Sequence, residues 1–158
     1  MAEFPVAGDA MPDIALEGVG GTAMRASDFL GRKLVVFFYP RDDTPGCTTE
    51  NIDFSAMADD FAKAGTALLG VSKDSPARHA RFAAKHGLGA PLATDALDNG
   101  LADALGAWTM KSLYGRKFLG MERSTYLVDR AGRIARVWRK VKVNGHAAEV
   151  LEAARALG

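Results

Sequence analysis

Hydrophobic positions concentrate in two short, nearly unbroken runs, residues 34–39 (LVVFFY) and 67–71 (ALLGV). Such runs, rich in β-branched and aromatic residues, suit strands covered on both faces, as in a parallel sheet. Between them Phe54, Met57, Ala58 and Phe61 recur at helical spacing. The pattern predicts a strand–helix–strand unit, whose crossover is right-handed in nearly all proteins. A second helix is predicted over 75–86, with Ser75 as cap, Pro76 in the first turn and Gly87 at the stop. A short helix over 99–105 stops at Gly106. Residues 109–121, which include Gly115 and Gly120, read as an extended loop. Strands over 123–128 and 134–141 flank the turn residues 129–132 (DRAG) and form a hairpin. Ala147, Val150, Leu151, Ala154 and Leu157 mark a C-terminal helix, with Asn144 as its cap. Near the start, 14–16 and 22–24 flank a Gly-rich turn and read as a small hairpin.

The order is strand–helix–strand, helix, strand–strand–helix. It matches an α/β, thioredoxin-like fold: a central mixed sheet flanked by helices on both faces. No repeat, linker or low-complexity stretch divides the 158 residues, so 1–158 reads as a single domain. An apolar fraction of 48% and a charged fraction of 25% are those of an ordinary globular chain. Net charge is +1, which gives little attraction for nucleic acid. Basic residues do crowd the C-terminal half, from Arg116 to Lys142, and read as solvated strand faces. No apolar run approaches the length of a spanning helix, so no membrane partner is expected. Residues 1–11 lack a basic region followed by an apolar core, so a cytoplasmic location is expected rather than export. Residues 18–21 (GVGG) have no following helix or lysine and are no phosphate loop. Trp108 and Trp138 read as packing residues.

One cysteine, Cys47, excludes an intrachain disulfide, a CxxC motif and a cysteine-based metal cluster. His79, His86 and His146 form no ligand-spaced pair. Neither a metal nor a bound cofactor is expected.

The informative segment is 39–54, YPRDDTPGCTTENIDF. It begins with Tyr39 at the end of the first buried strand and runs into a helix; in open α/β sheets, sites form at the carboxyl ends of strands. Thr44 is a good N-cap and Pro45 suits the first helical position. Cys47 then falls in the first turn, where unpartnered N–H groups and the helix dipole favour thiolate over thiol. Cys47 also precedes Phe54 by seven positions, on the same helical stripe, so it faces the protein. Gly46 permits close approach to the backbone.

The run Pro40-Arg-Asp-Asp-Thr44-Pro-Gly-Cys47 resembles the peroxiredoxin active-site pattern, Pro-x-x-x-Thr/Ser-x-x-Cys. The fuller string FYPRDDTPGCTTE is similar to the peroxiredoxin Q, or bacterioferritin comigratory protein, subfamily. GMERSTYLVDRAGRI resembles that subfamily's second motif, which carries an arginine, here Arg123. The resemblance implies a thiol peroxidase. Cys47 would attack the peroxide and become a sulfenic acid. Thr44 would hydrogen-bond the peroxide, Arg123 would stabilise the thiolate and the departing oxygen, and Pro40 would shield the sulfur. Glu50, one turn after Cys47, would hold the arginine; Gly46 and Tyr39 would support the site.

Many subfamily members carry a second, resolving cysteine, at the positions held here by Ile52 or Ala83. Its absence implies an external reductant such as thioredoxin, glutaredoxin or a small thiol. The resemblance also implies a monomer or weak homodimer. The competing reading is a non-catalytic redox sensor or holdase with the same fold, which would oxidise stoichiometrically without turnover.

Overall fold

The computed structural model describes residues 4–96 and 100–158. Its strands are β1 (Leu16–Gly18), β2 (Ala23–Met24), β3 (Lys33–Phe38), β4 (Thr66–Ser72), β5 (Leu92–Thr94), β6 (Trp108–Leu113), β7 (Arg116–Met121), β8 (Ser124–Val128) and β9 (Ile134–Trp138). Its α-helices are α1 (Pro45–Ala56), α2 (Ala58–Lys63), α3 (Pro76–His86), α4 (Leu101–Leu105) and α5 (His146–Ala156). Seven strands form one mixed sheet in the order β2-β1-β5-β4-β3-β8-β9. β3, β4 and β5 are parallel, while β8 runs antiparallel to β3 and β9 to β8.

β3 shows why this sheet needs two cores. Its side chains alternate across the pleat, yet all six residues are buried. Leu34, Val36 and Phe38 enter one apolar cluster with Leu101 and Leu105 of α4 and Met121. Val35, Phe37 and Tyr39 enter the other with Phe54 of α1, Phe61 of α2, Phe82 of α3 and Val150 of α5. One face therefore carries four helices and the other carries α4 and loops. Buried Lys33 ties β3 to the end of α5 by donating to the carbonyls of Ala154 and Leu157, each at 2.6 Å. The Ala154 carbonyl also accepts from the Leu157 N–H at 3.3 Å, so Lys33 joins the bonds that close the last turn of the helix.

Several expected elements are refined. The helix expected between the first two strands breaks at Met57 (φ −101°, ψ 6°) into α1 and α2, so Phe54 and Phe61 reach the core from separate segments. α3 starts on Ser75, whose side chain accepts from the Arg78 N–H, and stops on left-handed Gly87, as expected. The short helix begins at Leu101; Asn99, its expected start, lies outside the described residues. Gly145, left-handed at φ 76°, holds the N-cap of α5 in place of Asn144. β9 ends at Trp138, short of Val141.

The main correction concerns 109–121, which is no loop. β6 and β7 form a separate two-stranded hairpin in register from Trp108↔Met121 to Leu113↔Arg116. Tyr114 and Gly115 both have positive φ, 51° and 77°, the backbone of the two-residue turn that matches strand twist. Asn-Gly is the usual signature of that turn, and Tyr-Gly hid it. The hairpin also leaves Met110, Leu113, Phe118 and Leu119 exposed, so burial does not alternate along it.

Candidate active site

The last residue of β3, Phe38, pairs with Ser124, the first of β8. That register sets Arg123 beside the point where the chain leaves the sheet and turns through residues 39–44 into α1. Two segments 76 positions apart in sequence are brought to one spot by an ordinary antiparallel pairing.

α1 begins as its sequence dictates. Thr44 is the N-cap residue in extended backbone (φ −93°, ψ 154°), followed by Pro45 in the first turn. The Thr44 side chain does not cap the helix: its hydroxyl donates to the Arg41 carbonyl at 2.8 Å. Cys47 follows in the first turn, 1% exposed, within the cluster that holds Phe54 and Tyr39. The Asn51 side-chain amide donates to the Cys47 carbonyl at 3.0 Å, a further hold on this turn.

Arg123 bridges two buried acceptors. Its Nη1 donates to Glu50 Oε1 at 2.7 Å and its Nη2 to Cys47 Sγ at 3.4 Å. A Cβ on Gly46 would stand 3.2 Å from Nη2, so the close approach that Gly46 permits is that of the guanidinium itself. Burial pushes the Glu50 carboxyl up to about 7, against the pull of the Arg123 charge. Burial also works against the Arg123 charge, but Glu50 and Cys47 outweigh it and hold its pKa above the ordinary arginine value. Arg123 is thus a permanent cation between a carboxylate and a sulfur.

Tyr39 belongs to a second, fully buried network. Its hydroxyl donates to Asp42 Oδ1 at 2.6 Å, and burial, then the Asp42 charge, push its pKa far up. His79 of α3 meets Asp42 Oδ2 through Nδ1 at 2.7 Å and the Ala93 carbonyl through Nε2 at 3.0 Å. A carbonyl only accepts, so Nε2 carries a hydrogen. The Asp42 N–H donates to Asp74 Oδ2 at 2.7 Å, and Arg78 pairs with Asp74 Oδ1 at 3.1 Å. At the surface, Asp43 accepts from Lys85 Nζ at 2.8 Å and meets His86 Nε2 at 3.0 Å. The turn that carries the site is therefore fastened to α3 from inside and outside. Sequence reading missed Asp42, Asp43 and His79, because neither spacing nor periodicity links positions 37 and 43 apart in the chain.

The structure thus brings Cys47, Gly46, Glu50 and Arg123 into contact and sets Thr44 at the same helix start. Pro40 lies exposed where β3 gives way to the turn. The Tyr39 ring packs in the cluster of Cys47 while its hydroxyl serves Asp42. Among the described residues no group of His, Cys, Asp and Glu is arranged to hold a metal ion, and no helix is long and apolar enough to cross a membrane.

Residues 7–137 match the AhpC/TSA family. The peroxiredoxin Bcp of Bacillus subtilis is 43% identical over 92% of this chain and 92% of its own length. That of Xanthomonas campestris is 46% identical over 91% of this chain and 89% of its own length. A solved structure of Xanthomonas campestris peroxiredoxin Q superposes with a TM-score of 0.88 at 45% identity, covering 95% of this chain and 97% of that one. A second, of the bacterioferritin comigratory protein from the same organism, has alkyl peroxide reduction activity as its subject; it superposes with a TM-score of 0.88 at 44% identity, over 95% of this chain and 98% of that one. The thioredoxin-like architecture expected from the element order is the one these structures share. The chain belongs to the AhpC/TSA family and is a peroxiredoxin of the Q, or bacterioferritin comigratory protein, group: a thiol peroxidase that reduces peroxide with electrons from a thiol.

Proposed function

We propose that Cys47 is the peroxidatic nucleophile and that the chain reduces hydrogen peroxide and organic hydroperoxides in a one-cysteine cycle without a bound cofactor. The observation that carries this assignment is the Arg123 fork, 3.4 Å from Cys47 Sγ and 2.7 Å from Glu50 Oε1. The thiolate attacks one peroxide oxygen; the S–O bond forms as the O–O bond breaks. Sulfur is oxidised to a sulfenic acid, and the second oxygen leaves as hydroxide or alkoxide and takes a proton. Arg123 stabilises the thiolate before the attack and the departing oxygen during it. The Thr44 hydroxyl, its hydrogen held by the Arg41 carbonyl, presents lone pairs that accept the O–H of the peroxide. Glu50 holds Arg123 in place, and Pro40 screens the sulfur from bulk water.

Regeneration is external. Ile52, 43% exposed on α1, and Ala83 on α3 occupy the places where a resolving cysteine is expected. A first molecule of reductant condenses with the sulfenic acid, giving a mixed disulfide and water. A second thiol displaces Cys47 and leaves as the disulfide. Thioredoxin, glutaredoxin and small thiols such as glutathione fit this scheme, acting on a monomer or weak homodimer.

The test is peroxide consumption against a panel of these donors. Turnover with at least one is expected, and Cys47→Ser abolishes it. Stoichiometric oxidation with every donor would overturn the cycle and favour a sensor. Intact-mass spectrometry after peroxide alone gives either a sulfenic acid, passing to sulfinic acid in excess peroxide, or a disulfide between two chains. Loss of two hydrogens from a monomer is incompatible with the proposal.

A further inference from the structure

Peroxide reduction leaves a negative oxygen that must take a proton, and the residues of the site differ in whether they can give one. The Thr44 hydroxyl has its hydrogen on the Arg41 carbonyl at 2.8 Å, and that of Tyr39 lies on Asp42 at 2.6 Å. An arginine does not give up its proton in a protein. Glu50 remains. Its Oε1 accepts from Arg123 Nη1 at 2.7 Å, and among the described residues nothing hydrogen-bonds its other oxygen, Oε2, although that atom is buried. A buried oxygen without a donor is poorly placed to carry negative charge. As an O–H it would have no acceptor until a substrate oxygen supplied one.

Charge balance points the same way. Cys47 and Glu50 are each 1% exposed, and Arg123 contacts both, with Nη2 at 3.4 Å from Sγ. A thiolate and a carboxylate together would set two buried anions on one guanidinium, and charge left unbalanced in a buried site is costly. One proton held by the pair restores neutrality. Before the reaction the pair is a thiolate and a carboxylic acid; afterwards it is a sulfenic acid and a carboxylate. In both states Arg123 faces a single negative charge, which passes from sulfur to carboxylate across one planar group. Burial raises the Glu50 pKa to about 7 against the pull of Arg123, and the charge of Asp53, one turn on in α1, pushes it the same way. Lys111 of β6 and His146 of α5 also feel the Arg123 charge, and burial lowers the pKa of both.

We propose that Glu50 donates the proton that completes peroxide reduction, its carboxyl holding that proton on Oε2 while Cys47 is a thiolate. The inference rests on the peroxidase reading of Cys47. The thiolate forms the S–O bond as the O–O bond breaks. The departing oxygen, negative and held at the Arg123 guanidinium, takes the proton of Glu50 directly or through one water and leaves as water or an alcohol. Oε1 keeps its bond to Arg123 throughout, so the residue that positions the guanidinium also discharges the product. The proton returns during regeneration: the second reductant thiol gives up its hydrogen as its sulfur displaces Cys47, which leaves as the thiolate, and Glu50 takes that proton.

Two measurements test it. The first compares the rate of Cys47 oxidation by hydrogen peroxide with that of its alkylation by iodoacetamide, in which iodide leaves without needing a proton. In the wild type, oxidation is expected to slow as pH rises above neutrality and Glu50 loses its proton, while alkylation does not. Glu50→Gln, an isostere with no proton to give, is expected to slow oxidation at pH 6 about a hundredfold more than alkylation and to remove the alkaline decline. The second measurement needs no variant: infrared difference spectra of the wild type at pH 6, before and after one equivalent of peroxide, are expected to lose a protonated carboxyl band and gain a carboxylate band. The proposal is overturned if Glu50→Gln slows both reactions by the same factor, as the loss of Arg123 positioning alone would. It is equally overturned if wild-type oxidation keeps pace with alkylation above neutrality, or if no carboxyl changes its protonation. A wild type that alkylates at Cys47 but does not react with peroxide overturns the peroxidase reading, and the proposal falls with it.

Discussion

Arg123 contributes through the shape of its side chain as well as its charge. One planar fork spans a carboxylate and a sulfur that lie a helical turn apart on α1. Arg123→Ala should therefore slow Cys47 oxidation by about 10²–10³, the usual loss for one preorganised charge-stabilising donor. Arg123→Lys keeps the charge but cannot reach both partners, so an intermediate loss is expected. Arg133 provides the control. It lies in the same motif, but its guanidinium donates to the Gly8 carbonyl at 3.0 Å on an exposed turn. Arg133→Ala should leave the rate within about twofold, as for surface positions remote from the chemistry. Stopped-flow oxidation of the three variants decides the point, and equal losses at 123 and 133 would refute the assignment.

At the scale of elements, the turn between β3 and α1 depends on its fastening to α3. Asp42 and His79 are wholly buried, so changing either leaves one buried polar atom of the other, Asp42 Oδ2 or His79 Nδ1, without its facing group. His79→Leu or Asp42→Asn should cost about 3–5 kcal/mol, against about 1 kcal/mol for Tyr39→Phe, which loses one hydrogen bond. Urea unfolding of the three variants tests that ranking. A smaller effect belongs to the hairpin: Gly115→Ala, at a φ of 77°, should cost about 1 kcal/mol and fray the turn. These elements also mark what was legible in the sequence. β3, β4 and α3 were plain because continuous burial, a Ser-Pro start and a Gly stop are local signals. The helix start at Cys47 was legible for the same reason. Contact between Arg123 and Cys47 depends on strand register, which no local pattern encodes; the motif resemblance pointed to it. The Asp42–His79 pairing had neither a local signal nor a motif, and the β6–β7 hairpin was hidden by a turn with tyrosine where asparagine is usual.

For the whole molecule, two buried groups give stability opposite dependences on pH. His146, in contact with Thr125 at 2.8 Å, has its pKa lowered from 6.5 to about 4, chiefly by burial, against the pull of the Glu149 charge and with a smaller push from Arg123. A depressed folded-state pKa gives stability that is present above about 6.5 and lost as pH falls through about 4. Glu50 is raised from 4.5 to about 7, so its contribution is present below about 4.5 and lost as pH rises through about 7. The two partly cancel, and a comparison of variants separates them. The stability difference between wild type and His146→Gln should shrink by about 3 kcal/mol between pH 7 and pH 4; a constant difference would show that His146 does not titrate as described. The two fastenings of the active-site turn differ in another way. Asp42 and His79 lie beyond the reach of dissolved ions, whereas Asp43 and Lys85 meet at the surface. Screening acts over about 8 Å at physiological ionic strength and shortens further as salt is added. Concentrated salt should therefore release the outer fastening alone, making the backbone at Asp43 more open to proteolysis while leaving the Asp42–His79 pair, and the strand end it guards, in place.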